Sequence, residues 1–201
     1  KLNSLTKRIS LINSTDWQYL SVGLLLIICF LVVELFNSIN KIDFCYSPGL
    51  VFLQPHRIFS SHFIHKDLNH LFSNLIGIMM IRYFLISLKL KSKYFFLIIV
   101  SFLIPCQTLL QWLLDSLFNN HVIVRYGFSG IIFGFYSFIL LVSLYGKKRF
   151  LKININILSN LKIAQSISII TILSFAYSFL PGVSLLGHST GYISGLILFL
   201  F

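Results

Sequence analysis

Six stretches of mostly apolar residues divide this chain, near 17–36, 68–88, 94–114, 128–145, 163–181 and 187–201. Five of them have about the twenty residues that an α-helix needs to cross a hydrocarbon core of about 30 Å. The sixth is short: from His188 to Phe201 the chain rises only about 21 Å as a helix, so this helix is either cut short or ends within the membrane. With 57% hydrophobic residues, 10% charged residues and a mean hydropathy of +0.88 over 201 residues, the composition excludes an ordinary soluble domain. The pattern predicts an all-α polytopic membrane protein, a single membrane domain over 1–201. The first run is too long for a signal-peptide core and is not followed by a small-residue cleavage site, so it is expected to stay in the chain.

A net charge of +11 would suggest nucleic acid in a soluble protein, but here the position of each charge matters more. Lys1, Lys7 and Arg8 precede the first run. Arg82, Lys89, Lys91 and Lys93 flank the connection after the second, and Lys147, Lys148, Arg149, Lys152 and Lys162 lie between the fourth and fifth. These twelve share one side, whereas Lys41, Arg57, Lys66 and Arg125 lie on the other. Because basic loops stay inside, both termini are expected in the cytoplasm and the connections after the first, third and fifth runs outside. The lipid bilayer is then the first partner, and nucleic acid is not one. The outer loop near 37–67 mixes Phe44, Tyr46, Leu50, Val51, Phe52 and Leu53 with Pro48 and Gly49, which suits a segment partly in the interface. Cys29, Cys45 and Cys106 have no metal-ligand spacing and read as packing residues.

Under this topology the second, fourth and sixth helices all begin at the outer face. Their first turns carry His70 and Asn74, Ser129, and His188, at one depth below the outer surface. One such residue alone would read as a hydrogen bond gluing two helices. Four converging at one depth point instead to a shared polar pocket open to the outside, since intramembrane polar groups face a bundle interior or a water-filled cavity.

Ser129 sits between glycines in Tyr126-Gly127-Phe128-Ser129-Gly130. Serine needs a base within about 3 Å to become a nucleophile, and His188 is the candidate. Gly130 and Gly134 form one small-residue row and Gly191 and Gly195 another, so the fourth and sixth helices can approach closely enough for the pair to meet. No carboxylate is placed to orient His188: Asp115 ends the third helix, Glu34 lies near the outer end of the first, and Asp16 is on the inner side. A serine–histidine pair without a third carboxylate is therefore expected.

His70 and Asn74, four residues apart, share a helix face and can both point toward Ser129 as donors to an oxyanion, joined by the backbone N–H of the serine itself. Metal binding by His56, His62, His65, His70, His121 and His188 competes with this reading. The spacing lacks a His-Glu-x-x-His pattern and no carboxylate completes a ligand set, so neither a metal nor another cofactor is expected.

Three segments together resemble the signatures of the rhomboid intramembrane serine proteases, in that family's order: Arg57 to Asn74, Gly127-Phe128-Ser129-Gly130, and His188-Ser189-Thr190-Gly191 with Gly195. The likeness covers about residues 17 to 201. It implies a six-transmembrane-helix rhomboid-like bundle, Ser129 as nucleophile, His188 as base, and His70 and Asn74 as oxyanion partners. Gly127 and Phe128 would join the oxyanion and substrate-binding region, with Phe133 lining the pocket under the histidine. It further implies single-pass or membrane-anchored protein substrates, cut near the outer end of their membrane helix. A bacterial inner membrane is the expected location, with the site opening outward as the basic residues place it. Two positions depart from the family pattern. His56 stands where many relatives have tryptophan, and Arg82 and Tyr83 occupy the inner part of the second helix where a glutamate is frequent. The compact form also resembles the rhombosortase branch, which processes C-terminal membrane anchors. A rhomboid-like chaperone or scaffold without catalysis is the alternative function, and such proteins typically lose the serine or the histidine that this chain keeps.

Overall fold

The computed structural model describes residues 16–35, 40–90, 94–118, 123–150 and 152–201. Lys1, Lys7, Arg8, Lys91, Lys93 and His121 lie outside the described residues. Each apolar run becomes a helix: α1 Trp17–Leu35, α2 Leu68–Ser87, α3 Phe95–Leu117, α4 Ser129–Tyr145, α5 Leu161–Tyr177 and α6 Leu185–Leu200. A single helical turn, Arg57–Ser60, precedes α2. Among the described residues, α1, α2 and α3 are long and apolar enough to cross a membrane, while α4, α5 and α6 are shorter apolar helices.

Side-chain caps move several boundaries from where hydropathy alone puts them. Asn160 accepts from the N–H of Ile163 and starts α5 at Leu161, and Ser184 accepts from the N–H of Gly187 and starts α6 at Leu185. At its far end α5 stops at Tyr177 rather than near 181. Pro181 lies just beyond, and the residue before a proline is pushed out of the helical region.

The all-α expectation needs one correction. Between α4 and α5 the chain forms an antiparallel hairpin, β1 Lys147–Phe150 with β2 Ile153–Ile157, pairing Phe150 with Ile153 and Lys147 with Ile157. The cause is local: Ile153-Asn-Ile-Asn-Ile157 alternates with period two, and Phe150, Ile155 and Ile157 are buried while Lys148 and Arg149 face outward.

Helix α4 is the hub. It packs most extensively against α6 and also against α2, α3 and α5, and Gly130 through Ile139 are buried without interruption. Its neighbours bury one face only. On α1, Val22, Leu26 and Phe30 turn inward, whereas Leu20, Leu24, Ile28 and Leu31 are exposed, and Ile169, Ile172 and Leu173 of α5 are exposed as well. An apolar belt of this extent requires an apolar surround. At the other end from the catalytic candidates, Arg82 of α2 donates two hydrogen bonds of 2.8 Å to the carboxylate of Asp16, tying the start of α1 to α2.

Candidate active site

The segment before α4 is set by polar contacts from far along the chain. Tyr46 and Arg125 exchange backbone hydrogen bonds of 2.9 and 3.1 Å, and the Arg125 guanidinium grips the buried carboxylate of Asp115 at the end of α3. The Tyr46 hydroxyl donates to the same carboxylate at 3.1 Å. Burial and the Asp115 charge together hold the Tyr46 phenol well above its ordinary range. Arg57, also buried, donates to the carbonyls of Ile42 and Cys45 at 2.6 Å each, so the outer loop folds around a fixed guanidinium.

Held this way, the chain turns at Gly127, whose N–H donates to the Ser61 carbonyl at 2.8 Å. Its φ of +111° is costly for any residue with a Cβ, and a Cβ there would stand 2.6 Å from the His70 ring. Gly127 thus serves twice, by conformation and by letting α2 close in. Two residues later α4 begins. Unlike α2, α5 and α6, which are capped by Asp67, Asn160 and Ser184, it has no side-chain cap, so the N–H groups of its first turn are left for another acceptor.

The Ser129 hydroxyl lies 2.8 Å from Nε2 of His188. Glycine makes that distance possible. A Cβ on Gly191 would stand 2.0 Å from the Gly130 carbonyl oxygen, and one on Gly195 would stand 1.9 Å from that of Gly134. The two rows therefore interlock backbone to backbone, and Ser137 adds a hydrogen bond of 2.7 Å to the carbonyl of Tyr192. Phe133 stacks flat under the imidazole at 4.3 Å with 10° between the planes, backed by Phe175 from α5.

The remaining expected residues fall into place unevenly. His70 and Asn74 come up against Gly127, which lines the cleft that holds Ser129 and His188. The Asn74 Nδ2 is buried there without a hydrogen-bond partner, a free donor beside the glycine turn. The Phe128 side chain is fully buried against Phe63.

The cleft wall also holds residues that motif reading passed over. Gln107 and Gln111, one turn apart on α3, line it together with Arg125 and His62. Gln107 occupies the space a Gly130 side chain would take and donates to the Gly187 carbonyl at 3.2 Å. Their signal was available as polar residues inside an apolar run. Ser178, whose hydroxyl lies 2.6 Å from Nδ1 of His188, carried none.

Residues 53–201 match the family model of the Rhomboid domain. The chain belongs to the rhomboid family. No curated protein matches the sequence. As a rhomboid it is an integral membrane protein of a family whose members are in general intramembrane serine proteases, inactive members included, and which acts on membrane-anchored substrates in the bilayer. In this rhomboid the Ser129 hydroxyl and Nε2 of His188 are in hydrogen-bond contact.

Proposed function

We propose that this rhomboid is an active intramembrane serine endopeptidase, folded as one membrane domain of six spans, that cuts membrane-anchored proteins near the outer end of their membrane helix. The observation that carries the reading is the 2.8 Å contact between Ser129 and Nε2 of His188. Ser129 attacks the scissile carbonyl while His188 takes its proton. The resulting oxyanion is stabilised by the uncapped first turn of α4, assisted by His70 and Asn74 across Gly127. His188 then returns the proton to the leaving amine, and a water activated by the same base releases the acyl group from Ser129. Phe133 holds the ring in plane throughout. Placing the basic hairpin between α4 and α5 in the cytoplasm puts the starts of α2, α4 and α6, and hence the cleft, at the outer face of a bacterial inner membrane.

The test is labelling of the purified protein with a fluorophosphonate or isocoumarin probe. The parent should be labelled, and Ser129→Ala and His188→Ala should not. Because the two side chains act as one unit, the double variant should be no worse than either single one. Equal labelling of parent and Ser129→Ala would return the chain to the chaperone or scaffold reading.

A further inference from the structure

The imidazole of His188 is held at both nitrogens, and the second contact decides which of them carries the proton. Nε2 faces Ser129 at 2.8 Å, and Nδ1 faces the Ser178 hydroxyl at 2.6 Å. Ser178 is the buried C-terminal cap of α5, and its hydroxyl also lies 2.8 Å from the Ser174 carbonyl one turn earlier. Between Ser178 and His188 the chain reverses through Pro181 and Gly182, the glycine at a φ of +82°, which brings the end of α5 alongside the start of α6.

A hydroxyl has one proton to give, and a carbonyl only accepts. In one arrangement Ser178 donates to Ser174, Nδ1–H of His188 donates to Ser178, and Ser129 donates to Nε2. All three contacts are then hydrogen bonds. In the other, Ser178 donates to Nδ1 and Nε2–H points at Ser129. The Ser174 carbonyl loses its side-chain donor, and the serine proton has no lone pair on His188 to enter. Buried polar networks favour the arrangement that satisfies every member.

We propose that Ser178 is a positioning residue for His188. Its oxygen, committed as an acceptor because its proton is given to Ser174, holds the ring in the tautomer whose Nε2 lone pair faces Ser129. This rests on the serine–histidine reading above. A neutral hydroxyl thus fills the place of an orienting third group. Once the ring has taken the serine proton, the same oxygen still receives Nδ1–H from the imidazolium, so the contact is kept through the step.

The tautomer is measured directly by ¹⁵N NMR of histidine-labelled protein in detergent above pH 8, with His188 assigned by its loss in His188→Gln. The parent should show Nδ1 protonated and Nε2 bare, Ser178→Ala a mixture of tautomers, and Ser178→Thr the parent pattern. In parallel, kcat for a membrane-anchored substrate should fall roughly five- to tenfold in Ser178→Ala with KM unchanged, and return in Ser178→Thr. A parent spectrum with Nε2 protonated overturns the proposal, and this holds even where Ser178→Ala fails to fold. So does an alanine variant of unchanged tautomer and rate. Should neither parent nor variants cleave, it is the protease reading that fails, while the spectra still decide the role of Ser178.

Discussion

Phe133 lies parallel beneath His188, its ring 4.3 Å from the imidazole and tilted by only 10°. A flat aromatic floor leaves the histidine free to change protonation without changing place. Phe133→Tyr keeps that floor and should keep near-parent activity. Phe133→Ala removes it and should lower kcat by about one to two orders of magnitude, because misplacing a reacting group by an ångström costs that much. Steady-state kinetics of both variants, beside their thermal midpoints, separates this from loss of fold.

Asn74 brings a buried donor without a partner to the turn before Ser129, and His70 packs against the same glycine. Losing one oxyanion donor typically costs about 3 kcal/mol, or roughly a hundredfold in kcat. Asn74→Ala and His70→Ala should each fall by about that factor and still exceed Ser129→Ala. Parent-like turnover in both would leave them a purely structural part in closing α2 onto the turn.

The glycine contact is a packing claim with an internal control. Gly191→Ala and Gly195→Ala drive a methyl group into a main-chain oxygen and should both destabilise the protein and strongly reduce cleavage. Gly23→Ala on α1 would meet only the Leu75 side chain at an ordinary 3.5 Å, and should change neither. Cleavage of one fluorescent substrate by the three variants settles it.

Helices and their contacting faces were readable because two periods act together. Twenty-residue apolar runs mark the elements, and Gly130, Gly134, Gly191 and Gly195, spaced by four, mark the sides that touch. Contacts made by chain reversal leave no such trace. Ser178 meets His188 only because Pro181 and Gly182 turn the chain back, and Tyr46 finds Asp115 across 69 residues. The hairpin after α4 escaped because its five-residue alternation lay inside a stretch judged by its charges. Phe128, next to Ser129 in the chain, is fully buried against Phe63, a placement that adjacency in sequence does not reveal.

Acid should loosen the fold through His62. Burial pushes this histidine, which contacts Thr108 on α3, down to about 4 from an ordinary 6.5. Below pH 6.5 the unfolded chain takes up a proton that the folded chain refuses until about pH 4. Stability should therefore fall as pH drops through that window, by about 1.4 kcal/mol per pH unit for one such group, and be flat above it. His62→Gln should make the slope of the thermal midpoint between pH 4.5 and 6.5 shallower, the remainder coming from His65, which burial likewise pushes down to about 4. An unaltered slope would show that other groups govern it.

Sidedness can be read with a membrane-impermeant thiol reagent once Cys29, Cys45 and Cys106 have been replaced. Leu53→Cys, exposed in the outer loop, should label on intact cells, and Lys148→Cys on β1 only after permeabilisation. The opposite pattern would turn the cleft toward the cytoplasm.

Along the glycine rows of α4 and α6, carbonyl oxygens rest in the gaps left by missing methyl groups. Their alignment behaves like a ratchet with a single notch. Sliding one helix by one residue, about 1.5 Å, would separate the dyad and set Cβ-bearing neighbours against the opposing backbone. Intermediate offsets have no stable seat, so a weakened interface should divide the molecules into a fully competent and an inert population. Titration of a glycine-row variant with an irreversible probe would then find fewer active sites, each turning over at the parent rate.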